Sequence, residues 1–432
     1  MTLRHAASLA ALALALTAAP AIAAPKTAPA KTVGKIVASP AFKTAVAKLD
    51  ADYDRTVADI ITLTEIPAPP FKEEKRAKAY LEMLKAHGLS DVEMDAEGNV
   101  MGVRPGTATK GAGPFVVIAA HLDTVFPEGT DVKVRREGTK LMAPGIGDDT
   151  RALATLLAYA RAMDAAGIKT KKDILFVGNV GEEGPGDLRG VRYLFNKGPY
   201  KGRISAFFSM DGAEPEHIVD RGTGSKRYRV TFSGPGGHSY GAFGIVNPMA
   251  AMAQAVTDLY AIQPPKEPKT TYSASVTGGG TSVNSIPHDV FMEFDMRSES
   301  AAELAKLDQA LIGILDKAVA GENAARSTRA GAVTYTAKVI GERPAGATPP
   351  TAEISVLTEA AITSLGYKPA RHASSTDANI PMSLGVPALT IGAGFLGGRA
   401  HALDEWIDIE KAPTVKGMSV GLAALLAVAG VE

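Results

Sequence analysis

The sequence predicts an α/β fold, a mostly parallel sheet with helices on both faces, interrupted by an inserted α+β unit of ferredoxin-like order. Three observations carry this. Apolar runs at 115–120, β-branched in its middle, and at 174–177, 204–210 and 388–391 have the length of strands buried on both faces. Segments with apolar residues spaced three and four apart lie between them, as amphipathic helices require. Between about 222 and 340 the texture changes to alternating strands in the order strand-helix-strand-strand-helix-strand.

In chain order, residues 1–23 read as a signal peptide. Arg4 and His5 form a short polar start, 6–19 is an apolar stretch too short to span a bilayer, and Ala21-Ile22-Ala23 fits a small-x-small cleavage site. The expectation is an exported protein, periplasmic or secreted, with no membrane attachment after cleavage. Residues 24–40, rich in Pro, Ala and Lys, read as a linker. From Phe42 a helix is predicted through Leu49, Tyr53, Val57, Ile60 and Leu63, stopped by the Pro-rich 66–70. A second helix covers 72–87, with Gly88 as its stop, and 92–94 and 99–103 form a short strand pair. After the 115–120 strand come a helix at 152–166, the 174–177 strand, a short helix at 188–195 and the 204–210 strand. The inserted unit supplies strands at 227–232, 272–276, 290–297 and 333–339 and helices at 246–260 and 301–319. The first texture then returns, with a helix at 351–365, the 388–391 strand and an apolar helix at 414–429. One domain, 41–221 plus 341–432, is thus predicted to enclose another, 222–340.

Composition removes several function classes. Lys plus Arg and Asp plus Glu both number 46, so there is no basic excess of the kind a nucleic-acid binder carries. With no cysteine, disulfides and thiolate metal sites are excluded. Any metal must be held by His, Asp and Glu, which suits zinc, manganese or cobalt.

Acids and histidines gather where the apolar strands end. The 115–120 run leads into His121-Leu122-Asp123-Thr124-Val125, which sets His121 and Asp123 on one face of a strand. Such a pair alone is more often structural than functional. Gly145-Ile146-Gly147-Asp148-Asp149 opens the next helix, Gly181-Glu182-Glu183-Gly184 follows the second strand, Met210-Asp211-Gly212 the third, and His401 lies after the last. Open α/β sheets bind ligands at strand carboxyl ends. Several converging carboxylates repel one another and lose solvation unless cations neutralise them, so the set points to a pair of divalent metals sharing a carboxylate.

These motifs, in this order, resemble the two-zinc exopeptidase and deacylase family of aminoacylase, acetylornithine deacetylase, succinyl-diaminopimelate desuccinylase, glutamate carboxypeptidase and peptidase T. The similarity covers the chain from about residue 50 to its end. It implies that His121 and Asp211 hold one metal, expected to be zinc, that Glu183 and His401 hold the other, and that Asp148 bridges them. Asp123 would orient His121, and Glu182 would be the general base. In the inserted domain, which in the family mediates dimerisation or acts as a lid, His238 in Gly-Gly-His-Ser resembles an oxyanion-stabilising His that reaches into a partner subunit. Asn284 and Arg297 resemble substrate-contacting residues, Arg297 as a carboxylate clamp. The resemblance therefore implies a homodimeric metallopeptidase acting on short peptides or N-acyl amino acids, with carboxypeptidase-like cleavage slightly preferred. Aminopeptidase or tripeptidase action is the alternative, and an inactive, metal-stabilised binding protein is a third. Two stretches depart from the family's pattern: Asp149-Thr150-Arg151 stands where Asp-Lys-Gly is usual, and Ala402-Leu403-Asp404-Glu405 follows the late His. Asp377 is expected to cap the following helix. His87, His217, His288 and His372 are expected at surface or loop positions.

Overall fold

The computed structural model describes residues 27–432, so the expected signal peptide lies outside the described residues. In chain order the principal strands are β1 (Ser90–Met94), β2 (Val100–Arg104), β3 (Phe115–His121), β4 (Asp173–Asn179), β5 (Ile204–Gly212) and β6 (His217–Gly222). Strands β7 (Gly224–Ser233), β8 (Thr270–Gly279), β9 (Asp289–Ser298) and β10 (Thr334–Arg343) belong to the insertion. The chain then returns with β11 (Gly346–Ala347), β12 (Ala370–Ser374) and β13 (Ala388–Gly392).

The main sheet runs β1-β2-β4-β3-β5-β13-β6-β11, with β12 also on β6. Its centre, β4-β3-β5-β13, is parallel, and the flanks are largely antiparallel. The apolar runs are uniform because both faces are covered. Val116, Ile118 and Ala120 join Ile174 and Phe176 in a core shared with the helices Arg151–Ala165 and Lys411–Ala429. The alternate residues Phe115, Val117, Ala119, Leu175 and Val177 pack on the other face against the helix Arg189–Asn196. The parallel register places His121 beside Asn179, so β3 and β4 deliver their following loops to one edge.

The inserted unit has sheet order β8-β9-β7-β10, antiparallel throughout, the ferredoxin-like arrangement. Val230, Phe232, Phe294 and Met296 face its two helices, Pro248–Tyr260 and Ala301–Ala325. The alternate positions, Arg227, Arg229, Glu293, Asp295 and Arg297, give the opposite face a charged surface. The unit's last strand continues to Arg343, beyond 340, and the chain enters and leaves at one place, because Gly346 pairs with Gly222.

Three sequence expectations are corrected. The stretch read as part of a linker contains a helix, Thr27–Ala38, with Val33 and Ile36 buried against the helices Glu353–Ser364 and Lys411–Ala429. Its Ala, Pro and Lys content hides a Val33-Ile36-Val37 stripe at helical spacing. The helix expected from Phe42 is two, Pro40–Ala51 and Tyr53–Thr64, divided at Asp52. His87 is buried rather than exposed, its Nε2 3.4 Å from a guanidinium nitrogen of Arg161, and burial lowers its pKa. The Lys411–Ala429 helix is long and apolar enough to cross a membrane, but 83% of its most apolar stretch is buried within the protein, as a core helix.

Val33 is fully buried. Val33→Asp should therefore cost roughly 3–5 kcal/mol through an unpaired buried charge. Urea unfolding of the two proteins measures this; equal midpoints would mean that the first helix contributes nothing to the fold.

Candidate active site

The turn after β3 is fixed from behind. Arg76, fully buried in the helix Glu74–Lys85, donates from Nη1 to the Leu122 carbonyl at 2.7 Å and from Nε to the Ile66 carbonyl at 3.0 Å. Burial lowers the Arg76 guanidinium pKa to about 10, while Asp123 nearby raises it. Held in this way, His121 directs Nδ1 at the Asp123 main-chain carbonyl, 3.1 Å away, and Nε2 at the Asp148 carboxylate.

The resemblance gives Asp123 the task of orienting His121. In the structure the contact at hydrogen-bonding distance is made by the Asp123 main chain; its carboxylate lies 3.7 Å from Nδ1. That carboxylate accepts instead from the N–H groups of Glu182 at 3.0 Å and Glu183 at 2.8 Å, tying the loop after β4 to the turn after β3.

Asp148 occupies the middle of the cluster. Its Oδ1 is 2.8 Å from His121 Nε2 and its Oδ2 is 3.1 Å from His401 Nε2, which also lies 2.9 Å from Glu183 Oε1. His401 arrives through a small four-stranded sheet in which Trp406–Asp408 pairs with Lys140–Met142, drawing the 399–405 loop onto the 143–148 loop. The backbone of His401 has φ 66, a conformation costly for a residue with a Cβ. Asp211 is the last residue but one of β5, and its carboxyl feels burial first and then Asp148, His121, Asp149 and Glu183.

Electrostatics and geometry both fit a cation site. Asp149, Glu182 and Asp211 are pushed well above the ordinary carboxylate range, first by burial. Repulsion adds to this, from Asp148 on Asp149 and Asp211, and from Asp377 and Glu183 on Glu182. Burial also acts against ionised Asp148, but His121 and His401 more than offset it and hold the carboxyl below its usual range. His401 is raised to about 10 by Asp148 first and Glu183 second. Ligand atoms of His121, Asp148 and Glu183 lie within 4.8 Å of one another. Although 2.8 Å apart, His121 Nε2 and Asp148 Oδ1 are not aligned as a hydrogen bond, and both are buried without another partner. Imidazole and carboxylate donors gathered this closely suit coordination of a divalent cation.

Three residues acquire roles that their sequence positions do not disclose. Glu405, buried, accepts from the N–H groups of Gly145 at 2.9 Å, Gly147 at 2.7 Å and Asp148 at 2.7 Å, and so shapes the loop carrying Asp148. Burial pushes its carboxyl up to about 7. Arg343 binds Glu182, with Nη1 3.0 Å from Oε1. Asp377 does not cap the next helix: Asn379–Ser383 has no side-chain cap, and Asp377 Oδ2 instead accepts from Asn179 Nδ2 at 2.7 Å, leaving Oδ1 buried without a partner. Burial raises Asp377 to about 6.

The remaining candidates lie in the inserted domain. His238 and Asn284 are neighbours on an exposed antiparallel bridge, where His238 pairs with Ser285 and the Asn284 carbonyl accepts the Ser239 N–H at 2.9 Å. The described hydrogen bonds and ion pairs of His238 and Asn284 include none with the acid and His cluster. Arg297 lies on the charged face with Nε 2.7 Å from Asp295 Oδ2, in one cross-strand row with Ser225 and Arg343.

Comparison with known proteins agrees with this architecture. A family model described as peptidase family M20/M25/M40 matches residues 117–426. The aminopeptidase PepT of Bacillus cereus superposes with a TM-score of 0.71 at 19% identity, over 87% of this chain and 99% of its own. The dipeptidase Dug1p of Saccharomyces cerevisiae gives 0.69 at 17% identity, over 90% and 98%. YXEP of Bacillus subtilis, described as a dinuclear metal binding peptidase, gives 0.64 at 17% identity, over 88% and 99%. A Pyrococcus furiosus protein named as a LysW-lysine/LysW-ornithine hydrolase is 34% identical over 122 residues, which span 28% of this chain and 32% of that relative. The chain belongs to peptidase family M20/M25/M40, and with it to the metal-dependent hydrolases.

Proposed function

We propose that this protein is a dinuclear-metal exopeptidase of short peptides, with Glu182 as its general base and Arg297 reading the substrate's free carboxylate. The observation that carries the reading is Asp148, shared between His121 and His401 with Glu183 alongside. In this reading His121 and Asp211 would hold one divalent cation and Glu183 and His401 the other, with Asp148 as the ligand shared between them; the His and carboxylate donors suit zinc. When bound there, the cations would polarise the scissile carbonyl and lower the pKa of the attacking water.

The chain's own groups supply the rest. Glu182 takes the proton from the attacking water and returns it to the leaving amine. Asp123 keeps Glu182 and Glu183 on their separate tasks by accepting both of their main-chain N–H groups. Arg297 favours a substrate carboxylate because its planar fork matches that group and because its row leads across the sheet to Arg343, which reaches Glu182. Release of an amino-terminal residue is the second reading, supported by the name of the Bacillus cereus neighbour.

Three outcomes are expected. Metal analysis should find close to two divalent ions per chain, and Glu182→Gln should keep them while turnover falls by at least about a hundredfold; undiminished turnover removes Glu182 as the base. Glu405→Ala should weaken metal binding by about 10–100-fold in competition with a chelator, because the 145–148 loop loses its acceptor. With dipeptides and tripeptides blocked at either end, amidation of the carboxylate should raise KM sharply, and Arg297→Ala should raise KM for free peptides alone. Equal KM for free and amidated peptides moves the assignment to the aminopeptidase reading.

A further inference from the structure

The last residue of the inserted domain's last strand is bound directly to the proposed general base. Arg343 is buried at the end of β10, where the chain passes back to the catalytic domain. Its Nη1 lies 3.0 Å from Glu182 Oε1 and 3.3 Å from Ser375 Oγ, and its Nη2 donates to the Glu182 main-chain carbonyl. The guanidinium therefore holds both the side chain and the backbone of one residue, which fixes a rotamer in a way that a single contact does not.

The neighbouring residue is gripped by the same catalytic segment. The Glu342 N–H donates to the two Asp187 carboxylate oxygens at 3.1 and 3.2 Å, and the Glu342 carbonyl accepts from Arg192. Arg192 in turn donates from Nε to the Asp187 carbonyl at 2.7 Å. Residues 182–192, which start with Glu182 and Glu183, thus clasp residues 342–343 by polar contacts. Beside this clasp lies a cavity of about 890 Å³ lined by Asp187, Arg192, Lys226, Glu342, Arg343 and Leu384. The junction is not packed solid on that side, so its geometry depends on the polar contacts more than on apolar burial.

We propose that Arg343 is a positioning residue through which the inserted domain sets the orientation of the Glu182 carboxylate. The proposal rests on Glu182 acting as the base. An ion pair that only joins two domains would affect stability; a positioning contact affects kcat, because a misplaced base remains present but inefficient.

The metal-loaded full-length protein and its Arg343→Ala and Arg343→Lys variants test this. Arg343→Ala should keep the wild-type metal content, lose about a hundredfold in kcat and change KM by less than about threefold. Ethylguanidinium added to Arg343→Ala should recover part of the lost kcat. Arg343→Lys, which keeps charge without the fork, should fall between the two. Hydrogen exchange followed by mass spectrometry should show faster exchange across 181–192 in Arg343→Ala, with β7, β8 and β9 unchanged. Wild-type kcat in Arg343→Ala, a rise confined to KM, loss of kcat that ethylguanidinium leaves untouched, or unchanged exchange across 181–192 would each overturn the proposal. If Arg343→Ala does not fold, the same comparisons are made with Arg343→Lys. A wild-type protein that hydrolyses none of the peptides overturns the hydrolytic reading instead, and the exchange comparison then decides whether Arg343 orders the Glu182 loop.

Discussion

Asp148 meets His121 with one carboxylate oxygen and His401 with the other, and those imidazoles come from opposite sides of the insertion in the sequence. Much of the surrounding structure serves this junction. Arg76 fixes the turn that presents His121, Asp123 ties the Glu182–Glu183 loop to that turn, and Glu405 gathers the N–H groups that shape the Asp148 loop. Each support is a buried charged group whose hydrogen bonds end on main-chain atoms. Backbone partners cannot swing away as side chains do, so the cluster is held in place despite the mutual repulsion of its acids.

The parallel centre of the sheet was legible from the apolar runs, because strands covered on both faces leave a simple record in sequence. The acids at their ends were legible for the same reason: once the strands are placed, the positions following them are placed too. His401 was noticed by its place after the last strand, but its role as a ligand came from the resemblance, since no local pattern around it announces a link to Asp148. Arg343 and Glu405 escaped notice because their importance lies in distant partners, Glu182 and the 145–148 loop. A strand-end Arg and an acid in a polar loop look ordinary until the fold brings those partners near.

Two errors arose where a local rule met a stronger tertiary demand. Asp377, two residues before a short helix, has the expected position of a cap, yet burial beside Asn179 draws its carboxylate inward. The first helix has a composition common in linkers, but Val33 and Ile36 gain more from contact with the helices behind them than the chain loses by ordering. In both cases the deciding interaction is with residues far away in sequence.

The pairing of Gly346 with Gly222 bears on how such a chain can be assembled at all. Glu183 and His401 are 218 positions apart, a separation that includes the whole insertion. Once the insertion has folded, its two ends are neighbours, and the effective loop between the halves of the site shrinks to the few residues that cross between domains. Loop-closure entropy grows only logarithmically with length, so even the unfolded insertion delays the meeting of the two halves more than it opposes it. On the ribosome the imidazole of His401 is made after every acid it joins, so the cluster cannot be complete until the 399–405 loop has emerged.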